Sequence, residues 1–399
     1  MSINQNTIDR LIEDLIERTL KSPIEPTLLK DTCQTLSDAG LSILRVNMSW
    51  TTLHPTIGAL TLKWWRNRDY DDITRYAHAD GETDEWLKSP GYHMVTNEIE
   101  RLNIRLDGEK PDPYFPIFDE LISEGATHYI LRLFSFSKPG PHTYENDGMI
   151  LSFASDRKGG FNEEEIQTLA RVEPYIALAL KMALRERIAQ NTLSAYLGEN
   201  AASRVLSGSI KLGDGENIPA VIWYSDLRKS TDLGDSLPGP ELLTTLNEYF
   251  SCTAGAVMDH GGEVLRFVGD AVLAIFPSDG RSLKETCDKA TMAARDALTR
   301  MEAVNKSRKA QHKEPLAFGL GLHTGEVMFG NIGIPERLDF SVTGPAANET
   351  ARIESMTKEL ASPILASVDF AKNSTARWDS LGSYPLKGVK RTIELFSLN

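Results

Sequence analysis

Apolar residues at positions 8, 11, 12, 15, 16 and 20 (Ile8, Leu11, Ile12, Leu15, Ile16, Leu20) follow the three- and four-residue steps of one helical face, so the chain opens on an amphipathic helix. A second helix is predicted after Pro26 as far as Ala39, closed by Gly40. Leu41 to Thr52 reads as a strand, whereas residues 54–115, rich in Trp, Tyr, His, Pro and charge, carry weak periodicity. A helix is expected around Pro116–Ser123, and strands at Gly125–Phe136 and Met149–Ser155. The loop Asp156-Arg-Lys-Gly-Gly-Phe-Asn-Glu163 then opens a long helix over 163–197. Its apolar positions are Ile166, Leu169, Val172, Ile176, Leu180, Leu184 and Ile188, and Pro174 makes its first part less regular. That stripe predicts a connecting helix that couples two domains and pairs with its own copy; the alternative is a helix packed on its own domain alone.

Beyond residue 192 the texture changes. One or two short helices are expected within 192–215, followed by the turn-rich Lys211-Leu-Gly-Asp-Gly-Glu216. A strand at 219–226 precedes a helix from Pro240 to His260, with Leu242, Leu243, Leu246, Phe250 and Val257 on its apolar positions and Gly261-Gly262 at its end. A hairpin at 263–276 and a helix from Ser282 to Lys306 follow, then strands at 316–323, 325–330 and 339–342. Gly344 leads into a helix at 347–360, and strands at 363–367 and 381–397 close the chain. The fold class is α+β: helices covering a mostly antiparallel sheet in the C-terminal half, and a second α+β domain before it. The expected divisions are 1–162, 163–214 and 215–399.

Composition sets outer limits. The 399 residues, 41% hydrophobic and 25% charged, fit an ordinary globular protein of two or three domains. No apolar run is long enough for a membrane span, and the first residues lack a secretory pattern, so a cytoplasmic protein is expected. Cys33, Cys252 and Cys287 lack ligand-like spacing and read as buried thiols in a reducing compartment. The formal charge of −13 argues against nucleic acid as a partner, but leaves room for a nucleotide held through metal ions.

The chemistry concentrates at two strand ends. Ala220-Val-Ile-Trp-Tyr-Ser-Asp226-Leu ends in a carboxylate followed by Arg228-Lys229-Ser230-Thr231. Val264-Leu-Arg-Phe-Val-Gly-Asp270-Ala-Val-Leu-Ala-Ile-Phe276 reads strand, turn, strand, with Gly269 bending the backbone beside Asp270. Two carboxylates at such tips need cations, and hard ones such as Mg2+ or Mn2+ suit oxygen donors. The backbone carbonyl of Leu227 is a further candidate ligand, and the amides and hydroxyls of 228–231 are candidates for phosphate binding. Asn348 and Arg352, four apart on a helix, share one face.

These segments, with Gly319-Leu-Gly-Leu-His-Thr-Gly-Glu-Val-Met-Phe-Gly-Asn-Ile-Gly333 and Phe340-Ser-Val-Thr-Gly-Pro-Ala-Ala-Asn348-Glu-Thr-Ala-Arg352-Ile-Glu354, resemble the class III nucleotidyl cyclases over roughly 215–397. The resemblance implies a ferredoxin-like catalytic domain, a homodimer, and two Mg2+ or Mn2+ ions per site held by Asp226, Asp270 and the Leu227 carbonyl. It implies that Asn348 orients the ribose and Arg352 stabilises charge on the α-phosphate from the other subunit. At the base-reading positions this chain departs from the usual pattern, with Arg266 in place of Lys and Ser341 in place of Asp or Thr. Arg266 donates and cannot accept, which favours ATP over GTP. Lys387, in the basic stretch Leu386-Lys-Gly-Val-Lys390-Arg391, is a candidate for the triphosphate; His323 reads as a satisfied core histidine. The expected activity is adenylate cyclase; the alternatives are a guanylate cyclase or a catalytically silent cyclase-like module.

The N-terminal order of helix, strands and a closing helix after the Phe153-Ala-Ser-Asp-Arg-Lys-Gly-Gly-Phe161 loop resembles a GAF-type sensor domain. That resemblance implies a small-molecule ligand or protein regulator of unknown identity. Trp50, Trp64, Trp65 and Tyr70 are candidates for a pocket, or for core and lid.

Overall fold

The computed structural model of the chain describes residues 3–21, 27–52, 57–68, 72–77, 83–136, 148–278 and 280–399. It divides into two units, Met1–Thr192 and Leu193–Asn399.

The first unit contains α1 (Gln5–Lys21), α2 (Thr27–Asp38), β1 (Arg45–Thr51), β2 (Ile57–Trp65), β3 (Asp72–Ala77), α3 (Asp84–Leu87), α4 (Pro90–Thr96), β4 (Arg101–Arg105), α5 (Ile117–Ser123), β5 (His128–Ser135), β6 (Gly148–Ser155) and the start of α6 (Glu163–Leu197). The strands form one antiparallel sheet in the order β3-β2-β1-β6-β5-β4. Alternation along β5 sends Ile130 to a core shared with α1, α2 and α6, and Tyr129 and Leu131 to a core shared with α4 and α5. Leu169, Val172, Ile176, Leu180 and Leu184 of α6 lie in the first of these cores, so this part of the helix packs on its own unit, and α6 passes Pro174 without interruption. Trp64 lies in the first of these cores and Trp50 packs against it, Trp65 is buried, and Tyr70 lies outside the described residues.

Residues 54–115 hold more structure than their pattern suggests: β2, β3, α3, α4 and β4. The two short helices rest on local caps rather than periodicity. Thr83 and Ser89 accept from the amides of Trp86 and Tyr92, and Pro90 opens α4.

The second unit continues with α7 (Glu199–Leu206), β7 (Gly215–Leu227), α8 (Ser230–Ser236), α9 (Gly239–Asp259), β8 (Glu263–Val268), β9 (Ala271–Pro277), α10 (Leu283–Ala310), β10 (Phe318–Ile334), β11 (Arg337–Thr343), α11 (Pro345–Glu359), β12 (Ile364–Ser367), α12 (Val368–Lys372), β13 (Trp378–Pro385) and β14 (Thr392–Leu398). The sheet order is β13-β14-β12-β10-β7-β9-β8, with β11 on β10. Within it β7-α9-β8-β9-α10-β10 is a β-α-β-β-α-β unit whose strands lie in the order β10-β7-β9-β8, the ferredoxin-like arrangement. Tyr249 and Val257 of α9 and Ala290, Ala294 and Ala297 of α10 pack with Trp223, Phe276 and Leu320 on one face. Ala201 of α7 and Ala346 of α11 pack with Ile222, Ile275 and Phe329 in a separate core.

The pattern predicts two strands at 316–330; the structure has one, β10, running from Phe318 through Gly319, Gly321, Gly325 and Gly330. These glycines punctuate packing, not chain direction. A Cβ on Gly321 would lie 2.6 Å from the Thr350 carbonyl oxygen, and one on Gly325 2.5 Å from the Ala346 Cβ, so α11 sits directly on the strand. Conversely, the single strand expected over 381–397 is two, β13 and β14, joined through the basic stretch that carries Lys387.

Candidate active site

Strand register brings the two acidic tips together. Asp226 pairs with Ala271 across β7 and β9, one residue from Asp270 in the Gly269-Asp270 turn. Gly269 adopts φ +64°, as the first position of such a two-residue loop requires. Alternation then sorts β7. Ser225 points into the α9 side, where Trp223 Nε1 and the Tyr249 hydroxyl both donate to its Oγ at 3.1 Å. Leu227 puts its side chain in the same core, leaving only its backbone for chemistry.

The carboxyl of Asp226 lies within hydrogen-bonding reach of that of Asp270, and its pKa is pushed up to about 7. Burial is the first cause, the hydrogen bond and charge of Asp270 come next, the charge of Glu354 adds to them, and Lys358 opposes. Oδ2 of Asp270 is buried without a hydrogen-bond partner among the described residues. Among those residues no cluster of three or more His, Cys, Asp or Glu side chains could by itself enclose an ion. A convergent carboxylate pair with an orphaned oxygen and no closed cage fits a hard divalent cation that completes its shell with water and substrate oxygens.

The loop after Asp226 divides its tasks. The backbone amide of Arg228 donates to the Ala317 carbonyl at 2.8 Å, so it is engaged by the residue just before β10. The Arg228 guanidinium turns to α11, pairing with Glu354 Oε1 at 3.2 Å and donating to Thr357 Oγ1. Lys229 is left-handed at φ +57°, and α8 then begins at Ser230 and Thr231 with no side-chain cap on its amides. Lys229 and Thr231 are exposed and Ser230 is half-buried.

On α11, Asn348 and Arg352 are exposed on one face, while Thr350, Ile353, Glu354 and Thr357 form the buried one. The charge of Arg352 reaches Tyr224, whose hydroxyl pKa is raised first by burial and further by Asp226, Glu354 and Asp270. Arg266 follows a bulge at Leu265 that re-aims β8, and it is ion-paired with Asp339 on β11. Ser341, two residues beyond Asp339, is buried. Lys387 is exposed beside the buried anchor Leu386, and its loop is tied to α11 by Arg391 on Glu349 at 3.0 Å. Glu349 also lies 3.3 Å from Nε2 of His323, whose Nδ1 meets Ser367 Oγ at 2.8 Å: a buried, satisfied histidine. A concavity of about 590 Å³ opens beside it at the start of α11, away from the acidic pair.

Sequence reasoning gave no role to Glu354, Thr357, Tyr224 or Asp339. Glu354 carried a signal, since it falls on the apolar stripe of α11, where a charge must find a partner.

Residues 216–399 match the family model of the adenylate and guanylate cyclase catalytic domain. The uncharacterized protein Rv1320c of Mycobacterium tuberculosis is 32% identical over 217 residues, covering 53% of this chain and 36% of that protein. The uncharacterized protein Rv1318c of the same species is 33% identical over 240 residues, covering 59% and 42%. The chain thus spans well under half the length of these relatives. Among solved structures, the adenylyl cyclase CyaB from P. aeruginosa is similar at 25% identity and TM-score 0.43, covering 46% of this chain and 95% of that one. The guanylyl cyclase Cya2 is similar at 30% identity and TM-score 0.42, covering 46% and 93%. No described helix is long and apolar enough to cross a membrane.

Proposed function

We propose that residues 215–399 act as an adenylate cyclase in a homodimer. The 3′-hydroxyl oxygen of ATP attacks the α-phosphorus, its proton passes to a substrate phosphate, the bond to pyrophosphate breaks, and 3′,5′-cyclic AMP and protonated pyrophosphate leave. The observation that carries this reading is the convergence of Asp226 and Asp270 with an orphaned carboxylate oxygen. Asp226, Asp270 and the Leu227 carbonyl would hold two Mg2+ or Mn2+ ions. Bound there, such ions lower the pKa of the attacking hydroxyl and neutralise charge on the phosphates. Asn348 orients the ribose, Arg352 meets charge on the α-phosphate, Lys229, Ser230, Thr231 and Lys387 meet the outer phosphates, and Arg266 and Ser341 read the base. Each site takes its acidic pair from one subunit and Arg266, Ser341, Asn348 and Arg352 from the other.

A guanylate reading draws on one observation: Asp339, paired to Arg266, offers an acceptor that guanine N1–H and N2–H would use. Residues 1–162 are proposed as a GAF-like sensor domain, supported by the six-stranded sheet with a core on each face. The deciding experiment assays the purified protein with ATP and with GTP under Mg2+ and under Mn2+. Cyclic AMP as the main product supports the reading; cyclic GMP moves it to the guanylate alternative, and no product under either metal leaves a silent module.

A further inference from the structure

The contacts of Arg228 point to a task other than holding substrate. Its side chain is 18% exposed and that of Glu354 5%, and their charged groups meet at 3.2 Å beside Thr357. Space for this cluster comes from Gly319, which pairs with Asp226 across the sheet. A Cβ there would stand 2.2 Å from Arg228 Nη2 and 2.4 Å from both Glu354 Oε1 and Thr357 Oγ1. Arg228 lies two residues after Asp226, and Glu354 two residues after Arg352. The pair therefore ties the acidic turn to the helix that presents Asn348 and Arg352.

It also settles a charge. Glu354 is a third carboxylate whose field reaches Asp226. Left alone, it would compete with the acidic pair for any cation, or repel it out of line. We propose that Arg228 is a positioning residue: it neutralises Glu354 and locks α11 to the Asp226 turn, so that two carboxylates rather than three face the metal position. This rests on the metal-dependent reading above.

The test is equilibrium binding of Mn2+ to the full-length protein without nucleotide, followed by electron paramagnetic resonance, with thermal melts in parallel. Removing each charge alone has opposite electrostatic consequences. Arg228→Met leaves an extra negative charge and tightens Mn2+ binding three- to tenfold, while turnover falls at least tenfold because α11 is no longer held. Glu354→Gln leaves an extra positive charge and weakens binding by a similar factor. The double variant returns binding to within twofold of the parent. A role confined to folding would move both single variants the same way. Shifts of one sign, no shifts, or a rise confined to the KM for nucleotide in Arg228→Met overturn the proposal. If Arg228→Met does not fold, Glu354→Gln still has to weaken binding, and Arg228→Lys, which keeps charge but loses the fork, has to leave it unchanged. Asp226→Ala separates the two levels of inference. If it binds Mn2+ as the parent does, the metal-site reading fails; if it loses binding while the paired variants do not diverge, only the role of Arg228 fails.

Discussion

Arg266 on β8 and Asp339 on β11 are ion-paired within one chain, and Ser341 is buried two residues further along the same strand. A base approaching Arg266 has to share it with Asp339. Arg266→Ala is expected to lower kcat/KM for ATP about 10- to 100-fold, the range for a lost polar contact to substrate (about 1.4–3 kcal/mol). Asp339→Asn, which releases Arg266, is expected to change the ratio of kcat/KM between ATP and GTP more than it changes kcat. Steady-state kinetics with both nucleotides measures this; an unchanged ratio in both variants would remove the pair from base selection.

The acidic pair makes a second prediction that needs no turnover. Burial first, then the hydrogen bond and charge of Asp270, raise the carboxyl of Asp226 to about 7, so ionising it beside Asp270 is unfavourable in the metal-free fold. Asp270→Asn keeps the shape and a hydrogen-bonding group but removes one charge. Its stability in EDTA is expected to equal or exceed that of the parent, by about 1 kcal/mol, with a melting temperature no lower, while Mg2+-dependent activity is lost. Added Mg2+ should raise the parent's melting temperature and leave the variant's unmoved. A variant less stable than the parent in EDTA would show that the second carboxylate supports the fold.

Much of this arrangement could be read from residue order, because turns and caps are local. Gly269 before Asp270 specified the hairpin tip, and apolar spacing specified α1, α6 and α9. Three features could not be read that way. Gly319, Gly321 and Gly325 look like breaks, yet they mark where α11 rests on β10, a distant packing relation. The strand β2 mixes Gly, Thr and Lys with Leu and Trp, so its alternation is faint. Arg228 looks like a phosphate ligand until Glu354, more than a hundred positions along the chain, is placed beside it.

Gly321 offers a direct probe of that packing. An added Cβ would lie 2.6 Å from the Thr350 carbonyl oxygen and 2.7 Å from the Glu354 amide nitrogen, backbone atoms that move only if α11 moves. Gly321→Ala is expected to destabilise the second unit by about 1–3 kcal/mol in urea unfolding. Activity should fall further than the folded fraction, since α11 carries Asn348 and Arg352. Parent-like stability would mean that α11 yields at little cost.

In the first unit, His128 gives a pH dependence of known sign. The Phe161 amide donates to its Nδ1 at 3.0 Å, which leaves Nε2 to donate to Asn103 Oδ1, so the ring is held neutral. Burial first, then the charge of Arg105, lowers its pKa to about 4, with Asp107 and Glu165 opposing. The unfolded ring binds a proton near 6.5 and the folded one near 4, so the folded state holds fewer protons between these values. Stability from this group is therefore present above 6.5 and is lost as pH falls towards 4, amounting to about 1–3 kcal/mol. His128→Gln should flatten that part of the stability–pH curve relative to the parent.

The sharing of sites between subunits predicts complementation. Asn348 and Arg352 project from α11 as exposed side chains, whereas Asp226 and Asp270 are drawn into the turn beside it. If each site takes its acidic pair from one subunit and its Arg352 from the other, Asp226→Ala and Arg352→Ala proteins are each inactive as homodimers. A heterodimer of the two has one site with both defects and one with neither. Co-expressed with two different tags and purified through both, that heterodimer should recover about half the activity of the parent on this two-site arithmetic. Each homodimer should stay at least 100-fold below the parent, as expected for losing a charge-stabilising group. A doubly tagged heterodimer as inactive as its parents would place the acidic pair and Arg352 of one chain in the same site.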